Sequence, residues 1–109
     1  MTRQMFVDRL RAWAARAENE VAYSKGYEKI AWQGQSAVLR ATASVAAAGS
    51  AIDTGPAALR RQLLADRQKA LAAWEAADNE ADASLHSGET AGYDLILALL
   101  SDNNERWAS

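Results

Sequence analysis

The sequence predicts an all-α fold, a compact bundle of four to five helices that forms a single domain over residues 1–109. Three observations lead to this prediction. The chain is rich in Ala, Leu, Arg, Gln and Glu, which are good helix formers. Its apolar residues recur with a helical period, and no strand-like alternation extends beyond a few residues. The single Pro and several of the six Gly fall between the periodic segments.

The first predicted helix covers residues 3–24 and ends near Lys25-Gly26. Its apolar residues fall on one stripe, as expected of a helix that packs on a core: Phe6, Leu10, Trp13, Ala17 and Val21.

The second predicted helix covers residues 27–50. A heptad spacing, built mainly from small residues, gives its inward stripe: Tyr27, Ala31, Gly34, Val38, Ala41, Val45, Ala48 and Ile52. Small residues allow a neighbouring helix to approach closely, so we expect close packing through Gly34, Ala41 and Ala48. On this hypothesis Ala41→Leu would overpack the bundle and cost about 1–3 kcal/mol.

The third predicted helix covers residues 56–85, after the turn-forming run Asp53-Thr54-Gly55-Pro56. Asp or Thr can cap a helix, and Pro suits the first turn because its missing N–H is not needed there. The apolar side of this helix comprises Leu59, Leu63, Ala70, Trp74, Ala77, Ala81 and Leu85.

A turn at His86-Ser87-Gly88 is predicted to lead into a fourth helix capped by Thr90. This helix is apolar nearly all round, since inward-facing Tyr93, Ile96, Leu97 and Leu100 are joined by Leu95 and Leu99. Such a helix is either central to the bundle or part of an interface with a second copy of the chain, and the sequence leaves both arrangements open.

The composition excludes several kinds of protein. With no Cys, disulfides, thiolate catalysis and Cys-ligated zinc are excluded. No stretch approaches the roughly 20 apolar residues of a membrane span. Asp8 and Arg9 follow Met5-Phe6-Val7 at once, so no signal-peptide core forms. We therefore expect a cytoplasmic protein without membrane contact.

Charge is distributed unevenly along the chain. Residues 1–74 carry eleven Lys and Arg against six Asp and Glu, whereas residues 75–109 carry one base against eight acids. Solubility alone does not require such a separation, but steering onto a charged partner benefits from it.

Few residues suggest catalysis. His86 is the only imidazole, and no second metal ligand has a sensible spacing to it. Glu75, Asp78 and Asp82, at spacings of three and four, share a face of the predicted third helix, but no second carboxylate helix matches them. Phosphate-binding glycine loops and activated-serine motifs are absent from the sequence. We expect no enzyme, no cofactor and no bound metal, and a small metal-dependent helical enzyme is the least favoured alternative.

Basic residues provide a second alternative, a nucleic-acid-binding accessory protein. The predicted third helix carries a cluster of cations at Arg60, Arg61, Arg67 and Lys69. Phosphate binding is a reasonable use for them. Asp66 interrupts the cluster, however, and the acidic final third would repel nucleic acid. Pairing of Arg60 and Arg67 with carboxylates of neighbouring helices or of a partner is therefore favoured.

The acidic face that Glu75, Asp78 and Asp82 form on the predicted third helix is the preferred binding surface. Its like charges repel one another and weaken their own helix slightly, a cost that a surface aimed at Arg and Lys offsets. An exposed Trp near the end of the chain would be a typical interface anchor. The predicted partner-binding residues are Glu75, Asp78, Glu80, Asp82, Glu89 and Trp107.

In size, in the lack of a catalytic set and in its acidic run, the chain resembles the small single-domain inhibitors that phages carry against bacterial defence, anti-CRISPR proteins among them. The resemblance is one of type and transfers no residue-level motif. It implies a non-enzymatic protein-binding inhibitor that occupies a basic, nucleic-acid-handling surface of a host defence protein, such as a CRISPR-Cas component.

Overall fold

The structure, a computed structural model, describes residues 1–48, 55–100 and 106–108. These residues form four helices, α1 (Arg3–Tyr23), α2 (Gly26–Ala48), α3 (Pro56–Glu75) and α4 (Glu80–Leu99). Over the described ranges there is no strand, only an isolated bridge between Thr2 and Ala108. The predicted all-α bundle is therefore confirmed, with four helices. None of these helices is both long and apolar enough to cross a membrane.

The helices form two antiparallel hairpins that pack through α2 and α4. α2 packs against α1 and α4, and α4 also packs against α3. Over the described residues α2 and α3 have no extensive contact with each other, so α4 lies between them. Gly88 of α4 lies against Ala31 of α2, and Gly92 lies against Val38. Because the residue numbers of these contacts increase together along α2 and α4, the two helices run parallel and begin at the same end of the bundle.

The apolar core occupies the other end of the bundle. The largest fully buried side chains are Phe6, Val7, Leu10, Leu39 and Ile96. They come from the first half of α1, the second half of α2 and the second half of α4, and Leu59 and Leu63 join them from the start of α3. We call the opposite end, formed by residues 23–28 and 74–82, the hairpin end. None of its residues is buried.

Local interactions define the starts of the helices. The Thr2 hydroxyl accepts a hydrogen bond from the Met5 N–H at 3.0 Å and caps α1. Pro56 occupies the first turn of α3, as predicted, with Gly55 at the cap position. Gly26 has a φ of 62°, which suits glycine and lets the chain reverse between α1 and α2. Ile52, Asp53 and Thr54, to which the sequence assigned an inward position and capping roles, lie outside the described residues.

The predicted boundary between the third and fourth helices is wrong. α3 ends at Glu75 rather than residue 85, and Asn79 caps α4 by accepting a hydrogen bond from the Asp82 N–H at 2.9 Å. His86, Gly88 and Thr90 lie inside α4 and form neither a turn nor a cap. The Thr90 hydroxyl instead donates to the His86 carbonyl, 2.8 Å away.

The predicted inward stripe of α2 is correct at Gly34 and Val38 and wrong further along. Ala41, Val45 and Ala48 are exposed, and Val45 is 56% accessible. The buried positions continue at Thr42, Ala43 and Ala46. α2 packs against two helices, so its buried face is wider than the single heptad stripe assumed from the sequence.

Candidate protein-interaction surface

Four of the six predicted partner-binding residues lie at the hairpin end. Glu75 is the last residue of α3, Asp78 lies in the following turn, and Glu80 and Asp82 belong to the first turn of α4. The prediction that Glu75, Asp78 and Asp82 share one helix face is wrong, because the helix breaks between them. The turn nevertheless brings these carboxylates together at one end of the molecule.

Two of these acids have a role in the fold. Negative charge in the first turn of a helix is favourable, and both Glu80 and Asp82 occupy that turn of α4. The Asp82 carboxylate also accepts a hydrogen bond from the Asn79 side-chain amide at 3.1 Å, while the Asp82 N–H donates to the Asn79 side-chain oxygen. This reciprocal pair stabilises the start of α4 in the manner of a capping box.

Glu75 and Asp78 have no comparable role. Glu75 lies at the carboxyl end of α3, where the helix dipole disfavours a negative charge, and no basic residue lies in that last turn. Neither carboxylate forms an ion pair with the described residues. Neither charge therefore makes an interaction among the described residues that would stabilise the fold.

Exposed aromatic side chains accompany the acids. Tyr23 at the end of α1 is 81% accessible, Tyr27 at the start of α2 is 52% accessible and Trp74 near the end of α3 is 41% accessible. The sequence placed Tyr27 and Trp74 on inward stripes, and this placement is wrong. Large exposed aromatics are common where proteins bind one another, since they provide much contact area with few rotatable bonds.

A groove of about 350 Å³ opens between α2, α3 and α4 at this end. Tyr27 and Glu28 come from α2 and Trp74 from α3, while α4 contributes Glu80 and small side chains. The complete lining is Tyr27, Glu28, Ala31, Trp74, Glu80, Ala83, Ser84 and Ser87. Because α4 lies between α2 and α3, Tyr27 and Trp74 border the groove from different sides.

No family model matches this chain, and neither a curated protein nor a solved structure matches it.

Sequence reasoning missed Tyr23, Tyr27 and Glu28 as surface residues of interest. Gly26 and the polar pair Ser24-Lys25 mark a chain reversal. That reversal separates two tyrosines and places both at the end of a helix hairpin. Residues 23–28 and 74–82 together carry five acids against one base, Lys25. The hairpin end is thus strongly acidic as well as aromatic.

The other two predicted partner-binding residues lie elsewhere. Trp107 is half-buried, with its ring centroid 5.0 Å from that of Phe6, and the Ala108 N–H donates to the Met1 carbonyl at 2.9 Å. The expectation of an exposed anchor at Trp107 is therefore wrong, because this segment packs back onto the core. Glu89 lies in the middle of α4 and is also half-buried.

Glu89 belongs to a second, smaller groove of about 230 Å³ between α3 and α4. Its carboxylate lies 2.6 Å from Nδ1 of His86, and Asp66, Lys69 and Tyr93 complete the polar lining. Burial, followed by the charges of Asp66 and Glu89, raises the pKa of the Tyr93 phenol above its ordinary value. Within the described part of the chain, no three side chains of the ligand types form a group that could hold a metal ion.

The basic cluster of α3 is partly engaged within the bundle. Nε of Arg67 lies 2.5 Å from a carboxylate oxygen of Asp94 on α4, as the sequence led us to expect for pairing with a neighbouring helix. Arg60, Arg61 and Lys69 are exposed. Arg60 and Arg61 lie near the start of α3, at the end opposite Glu75, so these two bases are separate from the acids of the hairpin end.

Proposed function

We propose that this protein is a non-enzymatic protein-binding module that binds a basic surface of another protein through its hairpin end. One observation supports this proposal above the others. Three exposed aromatic side chains share the hairpin end with two carboxylates, Glu75 and Asp78, that have no ion-pair partner among the described residues. Aromatic contact area supplies affinity, and unpaired charge steers the encounter with an oppositely charged partner.

The partner class that fits this charge is a protein that handles nucleic acid. Such proteins bind phosphates through grooves lined with Arg and Lys, and an acidic end can occupy these grooves. By its type, the chain resembles phage inhibitors of bacterial defence, so a nucleic-acid groove of a CRISPR-Cas component is our specific candidate target. The proposed effect is inhibition by occupancy, which requires no catalytic group.

The matching experiment is affinity capture followed by association kinetics. The protein is used to capture partners from a host lysate, and the partner so identified is purified. Association rates are then measured for the wild type and for Glu75→Gln/Asp78→Asn across a range of salt concentrations. We expect the variant to fold normally, to associate more slowly and to show a weaker dependence on salt, because the steering charge is removed.

Asp78→Asn is also measured alone, and Asp8→Asn is its matched control, since Asp8 is exposed on α1 away from the hairpin end. The control should leave the rate unchanged. Equal rates for the wild type and the double variant at every salt concentration would contradict the proposal. Tight duplex-DNA binding that falls steeply with salt would instead favour the accessory protein that binds nucleic acid through Arg60, Arg61 and Lys69.

A further inference from the structure

The groove at the hairpin end combines aromatic faces, carboxylates and hydroxyl groups in one concave site. Tyr27 and Trp74 border it, Glu28 and Glu80 add two negative charges, and Ser84 and Ser87 add hydroxyl oxygens. We propose that this groove binds the side chain of an arginine that the basic partner inserts into it. The inference rests on the proposed function and names the group that the hairpin end recognises.

The groove is open because its floor is built from small side chains. α4 contributes Ala83, Ser84 and Ser87 at the positions between α2 and α3. Farther along α4, the close approach of Gly88 to the backbone of Ala31 fixes the spacing of α2 and α4. Tyr27 and Trp74 border these small side chains and are 52% and 41% accessible.

The carboxylates determine the sign of the charge in the groove. α2 and α4 begin at this groove and α3 ends at it, so the helix termini leave a partial charge of about +0.5, which is smaller than the two full negative charges of Glu28 and Glu80. Lys25 and Lys29 are exposed nearby but do not line the groove. Glu28 and Glu80 therefore make it favourable for a cation and unfavourable for a phosphate.

Arginine suits this lining better than lysine does. A guanidinium is planar, is weakly hydrated and stacks on aromatic faces, whereas an ammonium is a compact, strongly hydrated charge. Its five N–H donors can be accepted by the oxygens of two carboxylates, Glu28 and Glu80, and of the Ser84 and Ser87 hydroxyls. An aromatic border with carboxylates within the same site is thus matched to a guanidinium.

The test uses a defined probe, the blocked tripeptide acetyl-Gly-Arg-Gly-amide. The indole N–H resonance of Trp74 is assigned by its loss in Trp74→Phe and followed by NMR as the peptide is added to the full chain. We expect a saturable shift of this resonance. The same peptide with citrulline, which is nearly isosteric but uncharged, should cause little change. Equal shifts with both peptides, or none with either, would overturn the proposal.

Two variants of identical chemistry locate the interaction. Glu80→Gln removes a carboxylate that lines the groove, and Glu75→Gln removes one at the same end that does not line it. We expect Glu80→Gln to weaken peptide binding about fivefold and Glu75→Gln to weaken it less than twofold, because a direct charged contact is lost only in the first. Equal weakening would mean that the general field of the hairpin end attracts the peptide, and the groove proposal would be wrong.

Failure of the groove can be distinguished from failure of the proposed function. If Glu75→Gln/Asp78→Asn slows association with the captured protein but Trp74→Ala does not change its affinity, the acidic end is used and the groove is not. If the arginine peptide binds as described while the double variant associates normally, the groove is a guanidinium site and the proposed function is wrong.

Discussion

Gly88 of α4 lies directly against the backbone of Ala31 in α2. A methyl group at position 88 would lie 1.8 Å from the Ala31 carbonyl oxygen and 2.9 Å from its Cα. Gly34 makes the reciprocal approach, since a methyl group there would lie 2.4 Å from the Leu85 carbonyl oxygen. The two parallel helices thus meet backbone to backbone, and this contact determines the spacing of two of the helices that border the groove of Tyr27 and Trp74.

The glycines of this contact should differ in their tolerance of alanine. Alanine gains about 1 kcal/mol of helix propensity over glycine, but Gly88→Ala forces two backbones apart, so we expect a net loss of about 3 kcal/mol. Gly34→Ala should lose less. Gly92→Ala should be close to neutral, because its nearest neighbour would be the Val38 side chain at 3.1 Å. Urea unfolding of the three variants measures this order, and equal stabilities would contradict the backbone contact.

Trp107 should contribute to stability because its ring packs on Phe6. Replacing it with alanine removes this aromatic contact from the edge of the core, and we expect a loss of about 2–3 kcal/mol. Thermal unfolding measures the effect, with Trp74→Ala as the matched control, because Trp74 is 41% accessible and should lose clearly less. If the two variants melt at the same temperature, Trp107 does not close the core.

Ala41→Leu should not overpack the bundle, contrary to the prediction from the sequence. Ala41 is exposed at the rim of an apolar groove between α2 and α3 that is lined in part by Val38, Leu59, Leu63 and Tyr93. A leucine there covers apolar neighbours, so we expect a change in stability within about 0.5 kcal/mol. Ala43→Leu, the same substitution at a buried position of the same helix, should cost about 1–3 kcal/mol. Equal losses of stability in the two variants would mean that Ala41 belongs to the core.

The ion pair between Glu18 and Arg40 should make stability depend on pH. Arg40 donates to both carboxylate oxygens at 3.0 and 2.6 Å, and these hydrogen bonds, with one from Ser36, hold the pKa of Glu18 below its ordinary value of 4.5. The contribution of the pair is present above that value and is lost as the pH falls through the lowered pKa.

Glu18→Gln should therefore flatten the acid side of the stability curve, measured by urea unfolding between about pH 5 and pH 3. Arg40→Gln should flatten it similarly, and the double variant should show no further change, since both substitutions remove the same interaction. Both side chains are nearly half exposed, so the effect is expected to be small. Parallel curves for wild type and variants would show that the pair does not contribute.

The sequence was sufficient for the helical class, for the stripe of α1 and for the start of α3 at Pro56. It was not sufficient for the break after Glu75, because Ala76, Ala77 and Ala81 are strong helix formers and continue the pattern across the turn. Asn79 and Asp82, spaced as a cap and its N3 partner, mark the new helix. The sequence assigned Gly88 to a turn because glycine is favoured both in chain reversals and where two helix backbones pack closely.

The acidic part of the surface was accessible from charge counting, whereas the aromatic part was not. Tyr27 and Trp74 have the spacing of buried residues in their helices. Both side chains are exposed because they lie at the end of the bundle. The turn between α3 and α4 determines the position of that end, and the period of either helix does not. The pairing of His86 with Glu89 was missed for the same reason, since the sequence placed His86 outside a helix.

The placement of the core at one end implies a gradient of local stability along the bundle. We expect amide hydrogens near the buried residues Phe6, Leu39 and Ile96 to exchange only when the whole domain unfolds, and those of the last turn of α3 and the first turn of α4 to exchange through small local openings. We therefore expect the hairpin end to open more easily than the core. Binding of an arginine between Tyr27 and Trp74 would suppress these local openings. Amide hydrogen exchange would then be slow at the hairpin end as well as in the core.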